Sequence, residues 1–589
     1  MKTLLLTLII SISLLAQQNP FSDQSAGLNL SPLYYGNFGV SVVDYDKDGW
    51  DDIFFSNIAH TVNNDTTYCV LLRNNRNGTF TNVTKSANLQ LFGSYSCGVW
   101  GDINNDGYAD LFLAEAYGIG RCHLLLNNKD GTFRDMPADC GINFSAVVAT
   151  AAFGDYNNDG KLDLFLATEY PSYDLLYLNT SHNDTISFHD VSTAAGIEGY
   201  SSTIPMQVTF IDIDHDGDQD IYAVHDGFLP SSMYRNNGDG TFTDISFQNG
   251  LYDVGVGNSM GVYWKDYDFD GWEEVYVTRI GKGGLYKRQV NGKYINIADT
   301  LGAELNGMTW GVVWEDFDND MDDDMFMVNT FGFNGVRSLY YENNGGVFLE
   351  KSSEYNLNFP FAFNGLAYGD FNNDGYLDLV AAASDGNNKL LMNTKNKSGN
   401  WITLTLTGTT VNTMAVGVKA RAVTGGKNQM RTVTAGNSFA SQMSSLLHFG
   451  FGQITHIDTL EITWSAKHIQ IFTDVPLNTH YRLTEGNSLL SGIESQQDHT
   501  IPFRYSLEQN YPNPFNPTTT IGYHITNSEN VRLTVFDILG RVVRVPVNEV
   551  KEPGNYSLEF NASKLTSGIY YYRLQTGKYS ETKRMILIR

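Results

Sequence analysis

The chain has 589 residues, 38 Lys and Arg against 65 Asp and Glu, and a formal net charge of -27. That balance excludes nucleic acid as a partner, because no basic cluster is present to neutralise phosphates. The length calls for several domains, and 56 glycines with frequent Tyr and Phe suit a β-rich protein with many turns.

The opening MKTLLLTLIISISLLAQQ has one lysine, an apolar run of about thirteen residues and then polar sequence. It reads as a secretory signal peptide over residues 1–16, cleaved after Ala16. No later stretch is long and apolar enough to span a bilayer. Export permits disulfides, and Cys69, Cys97, Cys122 and Cys140 all fall within 72 residues. Two local disulfides are expected, with three connectivities open.

At residue 44 begins DYDKDGWDDIFF, with carboxylates at positions 1, 3, 5 and 9 of a turn and glycine at position 6. Four crowded carboxylates repel one another, so a counter-ion is expected, and an all-oxygen cage suits hard Ca²⁺. The ligand set is Asp44, Asp46, Asp48, the Trp50 carbonyl and Asp52. An EF-hand would need Glu at position 12, where Phe55 stands. The pattern returns six times, with first aspartates 50 to 58 residues apart. The second set is Asp102, Asn104, Asp106, Tyr108 and Asp110, and the third Asp155, Asn157, Asp159, Lys161 and Asp163. The fourth comprises Asp212, Asp214, Asp216, Asp218 and Asp220, and the fifth Asp266, Asp268, Asp270, Trp272 and Glu274. Asp316, Asp318, Asp320, Asp322 and Asp324 form the sixth, and Asp370, Asn372, Asp374, Tyr376 and Asp378 the seventh. In the sixth, Met321 replaces the turn glycine, where positive φ is costly, so this loop is expected to be the weakest.

An apolar strand follows each loop, and aromatics (Trp100, Phe153, Phe210, Trp264, Trp314, Tyr368) precede six of them, expected to pack between sheets. Hairpin signals such as LLRNNRNGTFTNVT complete about four strands per repeat. Such sheets arranged radially close a propeller. This resembles the FG-GAP and VCBS repeat families. The resemblance implies a seven-bladed β-propeller over 17–397 with up to seven structural Ca²⁺. Blade seven lacks an outer strand, and FSDQSAGL at 21–28 repeats the order of the outer strands elsewhere. The N-terminal segment is therefore predicted to supply it.

After residue 397 the acidic repeat stops. GNWITLTLTG, AVGVKARAVTGG, GNSFASQMSSLLHFGFG and IDTLEITW are β-rich and resemble the ASPIC/UnbV domain over 398–488, with departures at Val411, Thr413 and WSAK. Ser438, Ser441 and His448 lack a GxSxG elbow and are read as a polar loop, not a triad. A linker spans 489–504. From 505 to 589 the runs YPNPF, FDILG, SGIYYYRL and a basic ending resemble the type IX secretion C-terminal sorting domain, which implies a small Ig-like β-sandwich and the type IX machinery as partner.

The fold class expected is all-β. The reading of function is a secreted or cell-surface calcium-binding propeller that binds an extracellular glycan or protein. The alternative is a polysaccharide-degrading, lyase-like enzyme, which needs a base and a charge stabiliser on one face. His60, His123, His182, His189, His215 and His225 lie in the early blades without a recognisable constellation, and His215 is expected to face solvent. No catalytic residue is assigned.

Overall fold

The computed structural model describes residues 20–491 and 506–588, apart from short stretches within those limits. The expected signal peptide and most of the expected linker lie outside the described residues, as does His60. The first repeat forms an antiparallel sheet of Asn37–Val43, Asp52–Asn57, Val70–Asn74 and Phe80–Asn82, and the pattern recurs along the chain. Seven such units stand in a ring: their first strands touch in chain order, and that of the seventh, Phe363–Gly369, touches that of the first. Units five and six are also joined edge to edge, through Ile280↔Met308. Each first strand has a register irregularity near its start, a repeated bulge that bends the strand where it lines the ring.

The seventh unit is built from both ends of the propeller. Phe21–Asp23 pairs antiparallel with Lys389–Asn393, Phe21 opposite Asn393 and Asp23 opposite Leu391. Phe21 is buried against Phe317 and Tyr340, and Lys389 Nζ lies 2.6 Å from Asp23 Oδ2. Deleting residues 20–29 is expected to remove the Phe21 anchor and reopen a sheet edge, costing about 3 kcal/mol or more. A deletion variant that melts like the parent in calorimetry would contradict this.

Trp100, Phe153, Phe210, Trp314 and Tyr368 are buried between units, with Trp100 edge-on to Phe54 and Phe133; Trp264 is half-buried. The expected disulfides are corrected: all four cysteines are free, buried thiols. Cys69 packs in the layer between units one and two, whereas Cys97, Cys122 and Cys140 pack in the layer between units two and three. Burial pushes the thiols of Cys69 and Cys122 up to about 12 and that of Cys97 to about 11, so they act as small apolar groups.

The next domain consists of two four-stranded sheets, one centred on Asn400–Thr407 and the other on Lys419–Thr424 and Thr459–Ser465. It sits on the acidic-loop face of the ring. Its segment 435–442 descends into the central channel and hydrogen-bonds the first strand of every unit. Gln442 pairs with Val40 and Val42 through its backbone and with Trp100 through its amide; Ala435 O accepts from Phe153 N. Ala440 N donates to Gln207 Oε1, Ser438 N to Val262 O, and the Ser438 and Ser441 hydroxyls accept from Val312 N and Leu366 N. Inner strands of a ring leave one edge unpaired, and this plug satisfies it. The approach is so close that a Cβ on Gly39 would lie 2.0 Å from Ala440 O.

The C-terminal unit packs a three-stranded sheet (Ser506–Leu507, Thr518–Ile525, Gly554–Asn561) against a four-stranded one around Tyr572, Leu574 and Met585. It is a β-sandwich with its own core.

Candidate metal centres in the acidic loops

The seven loops share one hydrogen-bond plan. The carboxylate at position 5 accepts from the backbone N–H of position 7 in every loop, at 2.9 to 3.1 Å. In loops one, two, three, six and seven the first aspartate accepts from the N–H groups of positions 5 and 6, as Asp44 does from Asp48 and Gly49. These bonds turn the chain so that carboxylates converge. Gly49 has φ 83°, and Met321 adopts φ 81° and keeps the same bond to Asp316. The strain of a side chain there is about 1–2 kcal/mol, but Met321 is buried, so its packing offsets the strain and the sixth loop keeps its shape.

Oxygens of Asp44, Asp46 and Asp48 gather within 4.8 Å of one another, as do those of Asp212, Asp214 and Asp220, of Asp266, Asp268 and Glu274, and of Asp316, Asp318 and Asp320. In loops two, three and seven Asn104, Asn157 and Asn372 hold position 3, and each accepts from the N–H of position 5. Asp46 Oδ1, Asp52 Oδ2, Asp212 Oδ1, Asp214 Oδ1, Asp266 Oδ1 and Glu274 Oε2 are buried and accept no hydrogen bond. Burial, reinforced by neighbouring carboxylates, pushes Asp46, Asp155 and Asp266 up to about 7, Asp220 and Asp370 to about 8 and Glu274 to about 9. Convergent hard oxygens with open lone pairs and a deficit of positive charge are compatible with calcium.

In all but the fifth loop, which ends in Glu274, the last aspartate has a second partner that the sequence did not reveal. Asp52 Oδ1 accepts from Asn74 N, and equivalent bonds join Asp110 to Asn127, Asp163 to Asn179, Asp220 to Asn236, Asp324 to Asn343 and Asp378 to Asn393. Five of these asparagines also bridge to the preceding unit. Asn179 Nδ2 donates to Leu162 O at 2.9 Å and to Ile103 O at 2.8 Å, and Asn74 reaches Phe371 O at 3.0 Å, across the ring closure. Asn127, Asn236 and Asn393 do the same. The signal was present in the recurring Asn-Asn doublets.

The second domain reaches the loops directly. The Thr413 hydroxyl donates to Asp102, Lys419 Nζ lies 3.0 Å from Asp212 Oδ2, and Ser444 donates to Asp51 at 3.0 Å. Beneath it Arg431, Lys265, Glu315 and Asp323 form a buried ionic cluster beside a cavity of about 50 Å³. Ser438 and Ser441 belong to the plug, and the His448 imidazole is buried, held neutral by desolvation at about 3, with Nε2 3.2 Å from Gly375 O. His215 is half-buried rather than solvent-facing: it stacks on Trp272 with centroids 4.2 Å apart and meets Glu273 Oε2 at 2.8 Å. His225 is buried against Pro230 O, and His123 pairs with Asp135.

A ring of four-stranded sheets with acidic loops at one end defines an acidic-loop β-propeller. The chain belongs to the FG-GAP-like repeat family, matched over 44–113, 102–166, 155–223, 212–277 and 316–381. The ASPIC and UnbV family matches 408–490, and the secretion system C-terminal sorting domain matches 509–588. That last domain marks the chain for type IX secretion to the cell surface or beyond. No helix among the described residues is long and apolar enough to cross a membrane. Cartilage acidic protein 1 of Xenopus tropicalis is 25% identical over 499 residues, covering 80% of this chain and 67% of that protein. The Homo sapiens protein of the same name is 24% identical over 461 residues, covering 74% and 61%. The chain thus spans about two thirds of these relatives. Among solved structures, an Agrocybe aegerita lectin described as recognising non-reducing terminal N-acetylglucosamine aligns with TM-score 0.35 and 14% identity, over 72% of this chain and 95% of that one. That likeness is too distant to carry function.

Proposed function

We propose that this is a secreted or cell-surface protein whose acidic loops hold up to seven structural Ca²⁺, and that it binds an extracellular glycan through the opposite face of the ring. When bound, calcium supplies the positive charge that the clustered carboxylates lack. The observation that carries the reading is the plug: the second domain covers the loop face and fills the channel, so the far end of the strands is the face left open. That end presents Phe92, Tyr117 and Tyr173, each more than half exposed. Near its centre Phe38 and Trp310, both half-buried, close on Phe439 of the plug, with ring centroids 4.6 to 6.2 Å apart. Exposed aromatic rings suit the apolar faces of sugars.

Glycan-array screening followed by calorimetric titration tests this. Retained glycans should bind about tenfold more weakly to Trp310→Ala and Tyr117→Ala. Retention of matrix proteins but no glycan would move the ligand class to protein. Release of unsaturated sugar products would replace binding with lyase chemistry.

A further inference from the structure

The third strand of each unit carries, just before the position of the capping asparagine, a residue whose charge differs from loop to loop. Where position 3 is Asn, in loops two, three and seven, that residue is Leu126, Leu178 or Met392. Where position 3 is Asp, loops one and four have Arg73 and Arg235, loop five has Lys287 and loop six has the acidic Glu342. The arginines act at a distance: burial raises the carboxyls of Asp46 and Asp214, Arg73 and Arg235 oppose only part of that rise, and Asp46 Oδ1 and Asp214 Oδ1 remain unbonded. Lys287 does not stay at a distance. Its ammonium bonds Asp268 directly, lies 2.9 Å from Asp270 Oδ2 and 3.4 Å from Glu274 Oε1, and so holds three of the loop's carboxylates.

We infer that Lys287 contests the fifth loop with calcium, so that this site, and not the glycine-less sixth, is the last to fill. Two buried oxygens, Asp266 Oδ1 and Glu274 Oε2, still point to a metal there, but a divalent ion must push the ammonium away from Asp268 and Glu274 before it can use them. The fifth unit departs from the others at neighbouring positions too. Glu274 replaces the last aspartate, and Arg288 replaces the asparagine clasp and lies 3.6 Å over the Trp272 ring. The repeat-family matches bridge every pair of successive loops except the fifth and sixth.

The inference rests on calcium binding by the loops in general, and the test separates the two. The full chain and its Lys287→Leu variant, which installs the residue of loops two and three, are titrated with calcium and counted by native mass spectrometry. The variant should hold one more tightly bound calcium than the parent, its weakest site tightened about tenfold or more. Equal counts and an equal weakest affinity would overturn the role of Lys287, and no calcium in either protein would overturn the loops as metal sites. Should the variant fail to fold, anomalous diffraction from parent crystals at rising calcium decides. Loop five must fill after the other six, with Nζ displaced; filling alongside them rules the inference out.

Discussion

Chelation with EGTA is expected to lower the melting temperature of the full chain by at least about 10 °C. Extracellular calcium modules bind at about 10⁻⁴ to 10⁻³ M, so a site of 0.1 mM affinity at about 1 mM Ca²⁺ adds roughly 1.4 kcal/mol. Several sites add several such increments, short of full additivity because the asparagine clasps couple neighbouring units. The effect has a pH signature. Without metal, Asp46, Asp155, Asp220 and Asp370 have folded pKa values of about 7 to 8, above the ordinary carboxylate range, because burial disfavours their charged forms. A raised folded pKa contributes stability that is present below about pH 4 and lost as pH rises through 7 to 8. The chelated protein should therefore melt higher at pH 5 than at pH 8, and saturating calcium should shrink or reverse that difference. A melt in EGTA that matches the calcium-loaded one at pH 8 would remove the metal from the account.

Arg431→Met should cost about 3–5 kcal/mol and free the second domain from the ring. Arg431 Nη2 lies 2.8 Å from Asp323 Oδ1, its Nε donates to His448 O, and Lys265 Nζ lies 2.5 Å from Glu315 Oε2, all in a nearly solvent-free layer between the domains. Two cations balance two anions there, and removing one leaves a buried carboxylate without compensation. The companion variant Arg431→Met with Asp323→Leu should recover most of the loss, since burying neither charge avoids the desolvation cost. Calorimetry and limited proteolysis between residues 395 and 400 read both effects. A double variant no more stable than the single one would mean that Arg431 acts through packing and not charge.

The repeats were legible in the sequence because their chemistry fixes spacing: carboxylates at positions 1, 5 and 9, a carboxylate or amide oxygen at position 3 and a residue of positive φ at position 6 recur wherever the turn forms. The strand Phe21–Asp23 was legible for a similar reason, since the outer strands share a Phe and a small-residue turn. The plug was not. AGNSFASQ has no periodicity, and its role comes from unpaired amides on seven inner strands that only the closed ring brings together. Cysteine counting misled because four thiols close in sequence fall into two layers on opposite sides of unit two. Asn179 and its equivalents looked like hairpin residues because their second partners lie 76 to 82 residues back in the preceding unit, or 297 residues away across the ring closure for Asn74. Lys287 was invisible as a site residue because it is thirteen positions from its loop and its reach depends on strand register.

Metal bound in the acidic loops would hold the ring together beneath the second domain. Long-wavelength anomalous diffraction from crystals grown in about 1 mM Ca²⁺ tests it most directly. Anomalous peaks are expected inside the acidic loops, among the side-chain oxygens of positions 1, 3, 5 and 9, with the fifth loop weakest. Loops of unchanged shape with no anomalous signal, their carboxylates bonded to one another and to backbone amides alone, would contradict it.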